Sequence, residues 1–302
     1  MKDLSHLPTH SSNPDRPFEV PPGVEWTSKF VDFWIAEYKR QGRDTLGHAV
    51  EGTRLRGSWS GKCARRISYH LLGYEETNPA TVAGFWRMEQ GTIVHDYWQA
   101  AAKKLLGEDC TVEAIATYGD EMGSVHTDLV VQSPKYGKVA FELKTIGGYG
   151  FKVALGLFGD EPGPKNDHFL QGAVNAKAHD ADMLVIVYIS QENVNPSWAA
   201  DAELHPAMEF AVEWSYPREF WEPYADIEIR RQQHIVGLAE NEELAPRSIP
   251  HEMPKGSRLE PVKSTWTLHD DDGAVVDMGK IWGGKYCNYC PFQQQCIDDM
   301  SE

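Results

Sequence analysis

The chain has 302 residues, enough for a sizeable core. Its 41% hydrophobic and 25% charged residues are ordinary for a globular domain and exclude a fibrous or low-complexity chain. The formal net charge of −16 speaks against non-specific coating of nucleic acid, which needs cationic surface, yet it suits a carboxylate-rich site for divalent cations and permits a local basic channel.

No apolar run approaches the roughly 20 residues that cross a bilayer. The opening MKDLSHLPTHSSNPDRP has no apolar signal core. A cytoplasmic protein without membrane contact is therefore expected. Residues 1–25 are polar and proline-containing and are expected to form a flexible arm. A helix is predicted from about Ser28, with Phe30, Phe33, Trp34 and Tyr38 at helical spacing. Residues 51–66 are glycine-rich and basic, and a helix is predicted after Cys63, ending near Gly73. The stretch GFWRMEQGTIVHDYWQAAAKKLL predicts a long helix ended by Gly107, with Ile93, Val94, Tyr97, Trp98, Ala101 and Leu105 as its apolar stripe.

Three strands are predicted next, TVEAIATY, SVHTDLVVQ and KVAFELKT, the last two joined by a hairpin turn at SPKYG. DHFLQGAVNAKAH predicts a helix, DMLVIVYIS a central strand and AMEFAVEWS another strand. A long helix is predicted with Pro217 at its first turn, followed by an irregular region over 245–284. This order predicts an α/β fold, a mixed sheet with helices packed on it.

Side chains alternate across a strand, so Glu142 and Lys144 in FELKT share a face. Asp128 lies just across the proposed hairpin and can bring a second carboxylate toward Glu142. Oxygen ligands of this kind suit Mg²⁺ or Mn²⁺, which would polarise a phosphate and acidify a water, while Lys144 would orient that water and stabilise charge. An exposed ion pair is the alternative for FELKT, since E-x-K arises about once by chance in a chain of this length. His95 is a candidate metal ligand, and Gln171 a candidate hydrogen-bond partner for the water or the phosphate.

Five cysteines in a chain without an export signal do not suggest a disulfide framework. Cys287, Cys290 and Cys296 have C-x₂-C-x₅-C spacing, with Cys63 as the best distant fourth ligand. Four thiolates hold a [4Fe–4S] cluster or a structural zinc, and either would pin the C-terminal tail to the segment around Cys63. Cys110 has no clustered neighbour and is expected in the core. Arg54, Arg56, Lys62, Arg65 and Arg66, with Trp59 and Tyr69 among or beside them, are candidates for holding a nucleic-acid strand.

Together, CARRISY, GTIVH, HTD, ELKT, HFLQ and CNYCPFQQQC resemble the RecB-like branch of the PD-(D/E)XK nuclease superfamily. Within that branch they are most similar to CRISPR-associated and phage-encoded iron–sulfur exonucleases. The resemblance implies a restriction-endonuclease-like mixed sheet over residues 26–302, with the cysteine cluster tied back to Cys63. It implies metal ligation by His95, Asp128, Glu142 and the Leu143 carbonyl, with Lys144 as the catalytic lysine and Gln171 as the polar residue of a Q-x-x-x-Y motif. It implies a [4Fe–4S] cluster on Cys63, Cys287, Cys290 and Cys296, and DNA cleavage, often of single strands. Two positions depart from the pattern: Val125 stands where the family has glycine, and Asn175 where it has tyrosine. These departures favour the alternative of a DNA-binding or partner-docking subunit of a recombination or CRISPR-associated complex, with weak or no catalysis.

Overall fold

Alternating apolar residues build the sheet, and a computed structural model places it. The described residues are 55–78, 81–120, 122–158, 161–192, 205–247 and 290–299, with Lys29, Asp32, Phe33, Ala36 and Arg40, which are helical. The chain divides into two compact units, Met1–His48 and Ala49–Glu302. The expected arm over 1–25, and with it Arg54 and Cys287, lies outside the described residues.

The second unit carries six described strands: β1 (Leu55–Arg56), β2 (Cys110–Tyr118), β3 (Gly123–Ser133), β4 (Gly137–Ile146), β5 (Met183–Ser190) and β6 (Ala211–Pro217). Its described helices are α1 (Ala64–Leu71), α2 (Val82–Leu106), α3 (Gly148–Ala154), α4 (Asn166–Ala178), α5 (Arg218–Glu240) and α6 (Gln293–Asp298). β2, β3 and β4 form an antiparallel meander. β5 then pairs parallel to β4, and β6 antiparallel to β5. This is the mixed α/β sheet that the element order predicts. No described helix is long and apolar enough to cross a membrane.

The hairpin at SPKYG forms as expected. The Ser133 hydroxyl accepts from the Lys135 and Tyr136 N–H groups at 3.3 and 3.2 Å. β5 is buried on both faces, as its unbroken apolar run requires. On one face, Leu129, Val131, Val139, Leu143, Val185 and Val187 pack under Val94, Trp98 and Ala102 of α2. On the other, Ala140, Leu184, Ile186 and Tyr188 pack under α4 and α5, with Phe169, Ala173 and Trp221 fully buried.

Three expectations need correction. The stripe assigned to α2 is only partly right: Ile93, Tyr97 and Leu105 are 55%, 76% and 83% exposed, and the buried face runs through Val94, Trp98 and Ala102. The helix has apolar residues on two adjacent faces, so periodicity alone could not choose between them. Pro217 closes β6 and caps α5 from outside, with the helix beginning at Arg218. The strand predicted over AMEFAVEWS starts later, because Pro206–Glu209 forms a 3₁₀ turn.

The fork between β3 and β4 as a candidate active site

The sheet opens at the place where the predicted residues lie. β2 pairs with β3 from Gly123 to Val131, skipping Asp128. On the opposite edge β4 pairs only with Leu129–Ser133, and β1 only with Gly123 and Ser124. Residues 125–128 of that edge have no strand partner among the described residues, so β3 and β4 diverge as a fork. Asp128 sits at its apex, where its Oδ2 accepts from the Leu143 N–H at 2.6 Å and replaces a ladder bond.

The backbone beside the apex is strained. Glu113 lies across from Asp128, between the pairs Val112–Leu129 and Ala114–Thr127, and has a φ of 46°, uncommon for a residue with a side chain. Val112 packs on the α2 side, whereas Ala116 and Tyr118 pack with Val174 of α4. The strand pair therefore changes face at Glu113 and Asp128. Gln99 of α2 clamps this point by donating to the Asp128 carbonyl at 3.3 Å and to the Glu113 carboxylate. One helical turn earlier, His95 Nδ1 lies 3.3 Å from Asp128 Oδ1.

β4 supplies the other half of the fork. Its alternation turns Leu143 toward α2 and Glu142 and Lys144 toward α4, where Lys144 Nζ lies 2.5 Å from Glu142 Oε1 and 3.1 Å from Gln171 Oε1. Asn175 Nδ2 donates to Glu142 Oε2 at 2.7 Å. Glu142 is only 1% exposed, so the exposed-ion-pair alternative for FELKT fails. Burial pushes its carboxyl up to about 7, aided by the charge of Asp128 and opposed by Lys144. Burial also works against the Lys144 ammonium, but Glu142 and Asp128 outweigh it and hold that pKa above the ordinary lysine value.

His168, Gln171 and Asn175 recur at i, i+3 and i+7 on one face of α4. The helix can lie close because residue 172 is glycine: a Cβ there would meet Leu184 Cδ1 at 2.9 Å and Glu142 Cβ at 3.4 Å. Tyr188 is in register with Lys144. Its hydroxyl accepts from the Lys165 N–H at 2.7 Å and shares a hydrogen bond with His168 Nδ1, 2.6 Å away. Burial, with Lys144, Lys165 and Lys62 nearby, drives the His168 pKa down to about 3 against the pull of Asp167.

A cleft of about 220 Å³ adjoins Gln171 and Asn175 and is also lined by Arg56, Ser58, Ser124 and His126. Arg56 Nη2 is buried without a hydrogen-bond partner. The other predicted strand contacts differ in their surroundings. Lys62 is paired with Asp167 at 2.6 Å. Arg65 donates to the Ala245 carbonyl at 2.6 Å and lies 3.7 Å from Asp299. Trp59 packs edge-on to His70 at 5.0 Å, and the Arg66 charge acts on Cys290.

Among the described residues Cys63, Cys290 and Cys296 form no metal-binding group, so the expected cysteine cluster is not supported. Cys63 caps α1, and its thiol is raised by burial and by Cys296, against the pull of the Arg65 and Arg66 N–H groups. Cys290 is raised first by burial and then by Cys63 and Cys296. Arg247 Nε donates to Cys296 Sγ at 3.1 Å. The described cysteines form no disulfide. Cys110 is fully buried in the core beneath α2.

Among the described residues no three His, Cys, Asp or Glu side chains converge as a ready-made metal cage. At the fork the reason is plain: Glu142 is turned to Lys144 and Asn175, and Asp128 to His95 and Leu143. His95, Asp128 and Glu142 are nonetheless donor types that a divalent cation takes, with His95 3.3 Å from Asp128 and Asp128 bonded to the Leu143 N–H beside Glu142.

No protein-family model matches the chain, and no curated protein does. Among solved structures, the chain is similar to SSO0001 (TM-score 0.43, 14% identity, 72% of this chain and 88% of that one). It is also similar to an alkaline exonuclease from Laribacter hongkongensis (0.41, 16%, 63% and 89%) and to that enzyme in complex with dAMP (0.39, 12%, 62% and 90%). These similarities are too low to define a family, and the reading of the site rests on its own side chains.

Proposed function

We propose that this chain is a metal-dependent DNA exonuclease that hydrolyses phosphodiester bonds on single-stranded DNA or at DNA ends. The observation that carries the reading is the fork, where His95 from one face of the sheet and Gln171 and Asn175 from the other act on Asp128, Glu142 and Lys144. His95, Asp128 and Glu142, with the Leu143 carbonyl, would hold Mn²⁺ or Mg²⁺. Such an ion supplies positive charge at the scissile phosphate and lowers the pKa of a water.

The chain's own groups do the rest. Lys144 is a half-buried cation that would turn from Glu142 toward an attacking water or a phosphate oxygen, with Gln171 orienting it. Arg56, with its free buried Nη2, gives the adjoining cleft the character of a phosphate contact. Arg54 and Arg66 extend the cationic segment, and the aromatic ring of Trp59 supports it. Cys63, Cys290 and Cys296, joined by Cys287, would hold a [4Fe–4S] cluster that fastens the tail and takes no part in hydrolysis. Recombination or CRISPR-associated partners remain part of this proposal.

The test is cleavage of end-labelled single- and double-stranded DNA in Mn²⁺, Mg²⁺ or EDTA, with wild type beside Glu142→Ala. Metal-dependent cutting that the variant loses supports the reading. A well-folded wild type that cuts neither DNA in either metal overturns it in favour of a DNA-binding subunit.

A further inference from the structure

Asn175 is 1% exposed and does two things at the back of the fork. Its Nδ2 donates to Glu142 Oε2 at 2.7 Å, while its Oδ1 is buried without a partner. An orphaned amide oxygen is costly, and a small apolar residue on this buried face of α4 would avoid the cost. The amide therefore needs a reason, and Glu142 provides it. One carboxylate oxygen is held by Lys144 at 2.5 Å and the other by Asn175. The lysine cannot both anchor Glu142 and swing toward a substrate. The amide can hold the carboxylate throughout.

The surroundings are shaped for this amide. A Cβ on Gly57 would lie 2.6 Å from Asn175 Oδ1 and 2.8 Å from Val125 Cγ1, so a glycine leaves the room that the amide and the valine occupy. Gly57 and Asn175 also line the same cleft. The Asn175 amide therefore fixes the orientation of the Glu142 carboxylate from the side away from Lys144.

We infer that Asn175 is a positioning residue that holds Glu142 in place and ready to accept a divalent cation. The inference rests on the metal-dependent reading of Glu142. It is tested by titrating Mn²⁺ into the full chain without DNA, by calorimetry, for wild type, Asn175→Ala and the isosteric, apolar Asn175→Leu, with thermal melts and DNA cleavage alongside. A lost carboxylate partner of this kind lowers metal affinity by about 10- to 100-fold. That loss is expected in both variants, with Asn175→Leu, which keeps the volume and removes the orphaned oxygen, melting close to wild type. A merely structural role would change the melt and leave the affinity alone. Wild-type Mn²⁺ affinity in either folded variant overturns the inference, as does a wild type that binds no Mn²⁺. A wild type that binds Mn²⁺ but cuts no DNA sinks only the nuclease reading, and the affinity ratio still decides the role of Asn175.

Discussion

At the smallest scale, the burial of Glu142 gives it a pH signature. Its carboxyl sits at about 7 against an ordinary 4.5, so the folded chain binds this proton more tightly than the unfolded one. The resulting stability is fully present below about 4.5 and is lost as pH rises through about 7. A divalent cation needs the ionised form, so Mn²⁺ affinity should rise with pH through about 7 and level off above it. Calorimetry at a series of pH values checks this, and Glu142→Gln should show much weaker binding without that step. His168 behaves oppositely. With its pKa depressed to about 3, its contribution is present above the ordinary histidine value and is lost as the chain is acidified toward about 3. Acid unfolding of His168→Gln should accordingly show a shallower pH dependence. The two departures from the resembled pattern, Val125 and Asn175, both meet Gly57. Sequence could flag each of them, but neither the shared contact nor the bond to Glu142 was visible without the fold.

At the scale of elements, the site depends on how closely α4 approaches β4. Gly172→Ala gains about 1 kcal/mol of helix propensity but presses a methyl to within 2.9 Å of Leu184 Cδ1, and overpacking of this kind costs about 1–3 kcal/mol. The melting temperature should fall by a few degrees and cleavage by a larger factor, since α4 carries Gln171 and Asn175 away from their partners. Retained activity would separate the helix position from catalysis. Much of this geometry was legible: strand alternation put Glu142 and Lys144 on one face, and the SPKYG hairpin set Asp128 near them. The rest depends on tertiary contacts. β1 has two residues and exists only because Gly123 and Ser124 are free to pair. The positive φ of Glu113 leaves no mark in the sequence, and the buried face of α2 was set by what packs under it.

The whole molecule places a small cationic cleft on an acidic chain of net charge −16. Arg56→Glu should weaken single-stranded DNA binding across sequences and lower its salt slope by about one charge or more, read by fluorescence anisotropy at several salt concentrations. The tail is tied back by hydrogen bonds: Tyr69 donates to Asp299 at 2.6 Å, and the Asn78 N–H to the Pro291 carbonyl at 2.7 Å. On the proposed cluster reading, wild type carries iron and visible absorbance that Cys63→Ala loses together with thermal stability, and a colourless, iron-free wild type contradicts that reading.

The central claim is that the fork both holds a cation and cuts DNA, and Lys144→Met separates the two. The substitution removes the ammonium and keeps an unbranched stem of similar length. Measured with Mn²⁺ on single-stranded DNA, the variant should still bind the ion and cut about 10²-fold or more slowly than wild type, the loss typical of removing one group that stabilises transition-state charge. Cleavage at the wild-type rate by the folded variant would contradict the account.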